Sequence, residues 1–303
     1  MRSMRRLGWP IFACLTACAV LAWVPGARAH GIVGNRFFPP TITTDDPFAA
    51  DELALPTLSW FENPDSPPTR EIDAGFEFSK LIFPKLALGV SDTYSFLKPK
   101  GQNAVEGWNN LELSLKRELW TSQEHEAIIS IGLDVELGGT GSHAVGADDF
   151  STYTPTFFWG KGFGDLPDSL WALQPLAITG TLGQSFPARA ESPNVLQWGL
   201  AVEYSLPYLQ QHVKDVGLPA PFRNMIPLVE FSFQTAENRG QGGVTTGTIN
   251  PGVLWESRYV QIGVEALIPI NSDSGDHVGV MVQMFIFVDD LFPKVFGHPL
   301  FGD

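Results

Sequence analysis

The chain has 303 residues and carries 33 acidic against 19 basic side chains, a formal charge of −14 at pH 7. That balance disfavours nucleic acid as a partner, because such binding rests on neutralising phosphates with Lys and Arg. The two cysteines, Cys14 and Cys18, both lie near the N-terminus, so the fold beyond them holds without disulfides.

Residues 1–29 read as a secretory signal. Arg2, Arg5 and Arg6 form the basic start, residues 11–24 the apolar run, and Ala27-Arg28-Ala29 the small-x-small cleavage pattern. Cleavage there makes His30 the mature N-terminus and removes four arginines, which takes the formal charge from −14 to −18. Leu15-Thr16-Ala17-Cys18 also matches a lipobox, but the apolar run continues through Val24, so the box sits mid-run rather than at its end. Beyond the signal no apolar stretch is long enough for a transmembrane helix, whereas a barrel strand needs only about 9 to 11 residues. Residues 30–51 are expected to form an N-terminal periplasmic segment, 52–288 the barrel and 289–303 a C-terminal periplasmic tail.

In chain order, the first predicted strand covers 52–62 and ends in the Pro-rich turn 63–68. In the second, Ile72, Ala74, Phe76 and Phe78 oppose Glu71, Asp73, Gly75, Glu77 and Ser79. Three acids on one strand face would be costly in a dry core. The third sets Leu86, Leu88 and Val90 against Ala87, Gly89 and Ser91, with Asp92 on the apolar side, which calls for a bulge or for the strand to have left the hydrocarbon there. The fourth opposes Leu111, Leu113 and Leu115 to Asn110, Glu112, Ser114 and Lys116, and the fifth Ile129, Ile131, Leu133 and Val135 to Ser130, Gly132, Asp134 and Glu136.

The sixth strand, 153–162, alternates less clearly. The seventh sets Leu176, Ile178 and Leu182 against Thr179 and Thr181, and the eighth Leu196, Trp198, Leu200, Val202 and Tyr204 against Gln197, Gly199, Ala201, Glu203 and Ser205. The ninth has Val229, Phe231 and Phe233 opposite Glu230, Ser232 and Gln234; the last three run over 246–256, 259–270 and 277–288. In the eleventh, Ile262, Val264, Ala266 and Ile268 face away from Gln261, Gly263 and Glu265. Such alternation specifies an all-β, antiparallel up-and-down transmembrane β-barrel of about 12 strands, within a range of 10–14, with an oily outside and a wet inside. Connections after even-numbered strands are short, at 83–84, 121–124 and 257–258, and those after odd-numbered strands are longer. The exception is 207–227, which is long and carries a short helix-like run at 208–216. Trp60, Trp108, Trp120, Trp159, Trp171, Trp198 and Trp255 fall mostly near strand ends or on the apolar face, where interfacial girdles would place them.

Asn250-Pro251-Gly252-Val253-Leu254-Trp255, followed by Gln261-Ile262-Gly263-Val264-Glu265 and Leu267-Ile268-Pro269-Ile270-Asn271, carries a resemblance. With it the chain resembles a family of predicted outer-membrane β-barrel transporters of Gram-negative bacteria, similar to the phenol-degradation MetA-pathway proteins. The resemblance implies residence in the outer membrane and passage of a small solute. A tail beyond the last strand departs from the many barrels that finish on the strand itself.

The residues expected to line the lumen are Glu71, Asp73, Glu77, Glu112, Asp134, Glu136, Glu203, Glu230 and Glu265, with Lys116 among them. Such an interior favours a cationic or aromatic small solute, or is a solvated or plugged interior whose acids merely form hydrogen bonds and salt bridges. The expected partners are outer-membrane lipid and that solute, with no cofactor; the sequence leaves the oligomeric state open. The competing reading is a soluble periplasmic β-barrel binding protein. His30 is the one weak metal candidate, since a mature N-terminal histidine offers an amine and an imidazole to copper. A membrane-embedded hydrolase would need a serine, a histidine base and a third group. None of His30, His125, His143, His212, His277 or His298 falls mid-strand and no Gly-x-Ser-x-Gly occurs, so no catalytic residues are assigned and no enzyme is expected.

Overall fold

The computed structural model of the protein describes residues 31–240 and 242–302; the expected signal over 1–29 and His30 lie outside the described residues. Twelve antiparallel strands close into a barrel: β1 (Glu52–Asn63), β2 (Thr69–Phe83), β3 (Leu86–Pro99), β4 (Val105–Trp108 and Glu112–Ser122), β5 (Ala127–Glu136) and β6 (Thr152–Gly162), then β7 (Leu176–Pro187), β8 (Val195–Tyr204), β9 (Met225–Ala236), β10 (Thr245–Glu256), β11 (Val260–Pro269) and β12 (Gly279–Ile286). Each pairs with its sequence neighbour, and β12 pairs with β1 in the register Met281↔Ser59, which removes the sheet edge. The strand count and topology agree with the expected up-and-down barrel. No helix among the described residues is long and apolar enough to cross a membrane.

Period-two alternation sorts the side chains. Leu58, Ile72, Leu88, Leu115, Ile131, Phe157, Leu182, Ile262, Val264 and Val282 are exposed on the outer face, while their strand neighbours point in. Asp92 shares that outer face without a bulge, because the β2–β3 ladder stays in register through Phe76↔Asp92; the shift in this pair lies lower, between Leu81 and Phe83. The fourth strand is interrupted at 109–111, which leaves its first piece paired to β3 alone.

The short connections cluster at one end of the barrel, here the turn end. It also holds two long ones, 163–175 and 205–224. The first was not expected; the second contains a short helical run, Leu206–Tyr208 continued by a wider turn at Leu209–Val213.

The segment expected to sit outside the barrel does not. Residues 31–51 begin as a small hairpin at the turn end, Ile32–Val33 paired with Arg36–Phe37. They then run up into the lumen and back down to the start of β1, with Val33, Arg36, Phe38, Thr44, Asp46 and Asp51 all buried. A twelve-stranded wall encloses more space than its own inward side chains can fill, and this segment fills the turn-end half. Two apolar clusters result. One joins Phe37 to Ala54, Ile226, Leu228, Leu254, Phe285 and Phe287; the other joins Val33, Phe38 and Phe48 to Ile128 and Ala177. Glycine makes the approach possible at Gly263, where an added Cβ would sit 2.5 Å from Ile42 Cδ1.

The C-terminal segment, expected as a periplasmic tail, is folded back against the barrel. After a short helix at Val288–Leu291, Gly297 N donates to Asp51 at 2.7 Å, Leu300 N to Leu81 O at 3.1 Å and Phe301 N to Ile82 O at 2.9 Å.

Leu254 is fully buried between wall and plug. Leu254→Ala should cost about 2–5 kcal/mol, read as a lower urea midpoint for loss of the heat-modifiable, compact band on a semi-native gel.

Candidate functional site

The luminal segment is held by its backbone. Its peptide groups leave water on entering the barrel, so each needs a partner on the wall. Glu230 on β9 supplies three at once: its carboxylate accepts from Ile42 N at 2.7 Å, Thr43 N at 2.9 Å and Thr44 N at 2.5 Å, and from Thr43 Oγ1 at 2.8 Å. Asn250 Nδ2 donates to Thr43 Oγ1 at 2.9 Å and Gln261 Nε2 to Pro40 O at 2.6 Å. On the opposite wall Ser130 Oγ donates to Pro47 O at 2.5 Å, and Glu118 accepts from Ala49 N at 3.2 Å.

At the turn end Arg36 is the clasp. Its Nε lies 3.2 Å from Glu126 Oε2, Nη1 donates to Pro175 O at 3.0 Å and Nη2 to Gln174 O at 2.5 Å, while the guanidinium lies 3.6 Å from the centre of the Tyr208 ring. Tyr208 in turn donates its hydroxyl to Glu126 Oε1 at 2.7 Å. Burial, reinforced by the facing Glu126 carboxylate, holds that hydroxyl well above its ordinary range, so it stays a donor. The two long connections at this end are thus the seat of the plug: 163–175 supplies the carbonyls and 205–224 the ring.

The expected lumen residues separate into two groups. Glu203, Glu230 and Glu265 lie in the turn-end half, buried under the plug. Registers place Glu203, Leu228, Gly252 and Glu265 on one rung across β8–β11, with Glu230 and Asn250 on the next. Glu265 lies against Glu230, and among the described residues no donor reaches either carboxylate oxygen of Glu203 or Glu265.

The remaining residues lie higher, around the tip of the plug. Lys116 reaches from β4 to Asp45 at 2.7 Å and to Asp46 O at 2.9 Å, with its ammonium 4.8 Å from the centre of the Phe158 ring. This lysine, expected as a lumen cation, ties the wall to the plug. Glu77, Glu112, Asp134 and Glu136 surround it along a cavity of about 290 Å³ whose wall includes Asp45, Phe48 and Glu52. A second cavity of about 240 Å³ shares Glu77 and adds Asp73 and Ile42; a third of about 430 Å³ shares Asp45, Asp134 and Gln197 and adds Phe158. The shared linings set the three cavities beside one another around the plug tip, a vestibule with seven acids and one lysine on its walls. Asp73 accepts from Ser95 Oγ at 2.6 Å and Ser59 Oγ at 3.1 Å, Glu136 from Asn110 Nδ2 at 2.8 Å and Glu112 from Ser91 Oγ at 3.3 Å. Glu71, nearest the loop end, is bonded to Asn63.

Arg36, Asp45, Asp46, Glu126 and Tyr208 were not anticipated. One signal was present: inward glycines, Gly160, Gly199 and Gly263, lie where Phe38, Thr44 and Ile42 approach the wall. Among the described residues no three His, Cys, Asp or Glu side chains are arranged to hold a metal ion. His30, the copper candidate, lies outside them. Among the described histidines, His125 pairs with Asp165 at 3.1 Å in the exposed rim, and His277 lies 3.4 Å from Glu62.

No family model matches the chain, and no curated protein sequence does. Among solved structures, the crystal structure of an outer membrane channel from Pseudomonas putida F1 is similar at 9% identity with a TM-score of 0.54, covering 82% of this chain and 100% of that one. The NanC porin is similar at 7% identity with a TM-score of 0.46, covering 76% of this chain and 98% of that one. The likeness to the Pseudomonas channel is one of fold, a closed antiparallel barrel.

Arg36→Ala leaves Glu126 buried without its cation and should cost about 3–5 kcal/mol. The expected readouts are a lower denaturant midpoint, faster proteolysis within residues 31–51 and a higher single-channel conductance; an unchanged conductance with a loosened segment would mean that the plug does not limit the lumen.

Proposed function

We propose that the protein is an outer-membrane β-barrel that admits a small cationic solute from its loop end into the acidic vestibule above the plug. The observation that carries this is the lining of the vestibule: seven carboxylates and one lysine surround adjoining cavities of about 240 to 430 Å³, a volume suited to a small molecule. Low-dielectric walls concentrate the field of such a set, attracting cations and excluding anions. Lys116 is already engaged by Asp45 and Asp46, so it offsets little of the remaining charge.

Membrane residence follows from the outer face. Apolar side chains occupy it on strand after strand, and a soluble carrier would have to expose that belt to water. The short turns then lie in the periplasm and the long loops outside the cell. Phe48 and Phe158 on the vestibule wall suit a solute with an apolar or aromatic body behind its charge. That preference fits the resemblance to the MetA-pathway proteins.

The test is reversal potential in a planar bilayer under a salt gradient. The wild type should be cation-selective, and the triple variant E77Q/E112Q/D134N should lose selectivity by on the order of tenfold, as expected when a potential of several kT is removed. Equal selectivity in both would sink the acidic-vestibule reading. Liposome swelling with aromatic amines against matched aromatic acids then tests the solute class, with amines expected to enter faster.

A further inference from the structure

The C-terminal segment carries a second interaction surface. Residues 291–302 read Leu-Phe-Pro-Lys-Val-Phe-Gly-His-Pro-Leu-Phe-Gly: twelve positions without one acid, in a chain that has 33. Their side chains are largely exposed, with Phe292 at 54%, Val295 at 57%, Leu300 at 56% and Phe301 at 60%. An exposed apolar run of this kind is ordinarily a sign of a loose end, yet here the backbone is fixed. Asp51 accepts from Gly297 N and Lys80 Nζ, both at 2.7 Å, and Lys80 also donates to His298 O at 2.7 Å. Leu300 N and Phe301 N donate to Leu81 O and Ile82 O of β2. The protein therefore holds these side chains outward in a set geometry.

Position and charge indicate what covers them. Phe296 packs edge-on against Phe78, an outward residue of β2, at 6.1 Å, and Phe301 lies 5.6 Å from the exposed Phe83 ring. The patch is thus a downward continuation of the apolar belt at the turn end. Around it the charges are basic: Lys294 lies within the segment, Lys85 sits in the β2–β3 turn that Gly302 touches, and Arg117 stands outward on β4 opposite Leu86. Of the acids beside it, Asp51 holds three donors and Asp289 is buried, while Asp290 and Asp303 adjoin the segment in sequence at its two ends. Apolar side chains level with the lower edge of the belt, rimmed by Lys and Arg, are the arrangement that an amphipathic element uses at the headgroup boundary.

We propose that residues 291–302 form an interfacial anchor that inserts into the periplasmic leaflet and, with Lys85, Arg117 and Lys294, binds anionic phospholipid headgroups. This rests on the membrane-spanning reading of the barrel. It also accounts for a tail that continues beyond the last strand: the tail widens the lipid-facing surface beside β1 and β2, where the plug leaves the lumen to become the wall.

The processed chain should offer no thiol of its own, since Cys14 and Cys18 fall within the expected signal, so single cysteines can carry an environment-sensitive fluorophore. Phe301→Cys and Leu300→Cys test the tail, Leu115→Cys the outer belt and Asn103→Cys the opposite loop end, each in the full barrel reconstituted in vesicles with lipids spin-labelled near the headgroup or along the chain. Quenching of the tail labels by the near-headgroup probe, of Leu115→Cys by the deeper probe and of Asn103→Cys by neither is the expected result. Quenching at position 115 but at neither 300 nor 301 would overturn the anchor and leave the barrel reading standing; quenching at none of the three would remove both. For the headgroup, retention of phosphatidylglycerol over phosphatidylcholine should fall by roughly fivefold per cation in K85Q/R117Q/K294Q. Unchanged retention would overturn the anionic-lipid site.

Discussion

The arrangement depends on satisfying peptide groups inside a closed wall. Twelve strands leave a lumen that their own side chains do not fill, and the protein closes half of it with a length of its own chain. That chain has no secondary structure along most of its luminal path, so its N–H and C=O groups must be met one at a time by side chains. Glu230 meets three of them, and Gln261, Ser130 and Glu118 take others. Much of the interior polarity is therefore a frame for the plug, and the vestibule is what the frame leaves open.

This division explains why the inward acids are unequal. Glu230 is an acceptor for backbone donors, Glu126 a partner for Arg36 and Tyr208, and Asp45 a partner for Lys116. Glu77, Glu112, Asp134 and Glu136 instead stand around free volume. The first set gives the lumen its shape and the second gives the vestibule its charge. The clasp at the turn end joins the hairpin at 31–38 to the two long connections, which explains why this end departs from short turns: a seat for Arg36 needs carbonyls and an aromatic ring that a two-residue turn cannot present.

Strand order, strand number and the two-faced wall were legible because they are local properties. Alternation in 176–186 or 195–204 reads directly as one face in and one face out, and the interruption of β4 near Asn109 cost only a few residues of a strand that was otherwise clear. Asp92, which suggested a bulge, simply rides the outer face of a ladder that stays in register. The same alternation groups the candidate acids on one face of their strands. Their roles were not legible, because a role depends on what lies opposite across the lumen.

The sequence by itself determined the container: a period-two pattern repeated about twelve times admits few arrangements other than a closed barrel. Only the tertiary structure decided where residues 31–51 and 289–302 go. Neither segment has a periodicity that would point to its resting place, and their decisive contacts join residues far apart in the chain, such as Thr43 with Glu230 and Gly297 with Asp51, separated by 187 and 246 positions. Contacts of that span depend on the finished wall, so they become visible once the strands have closed.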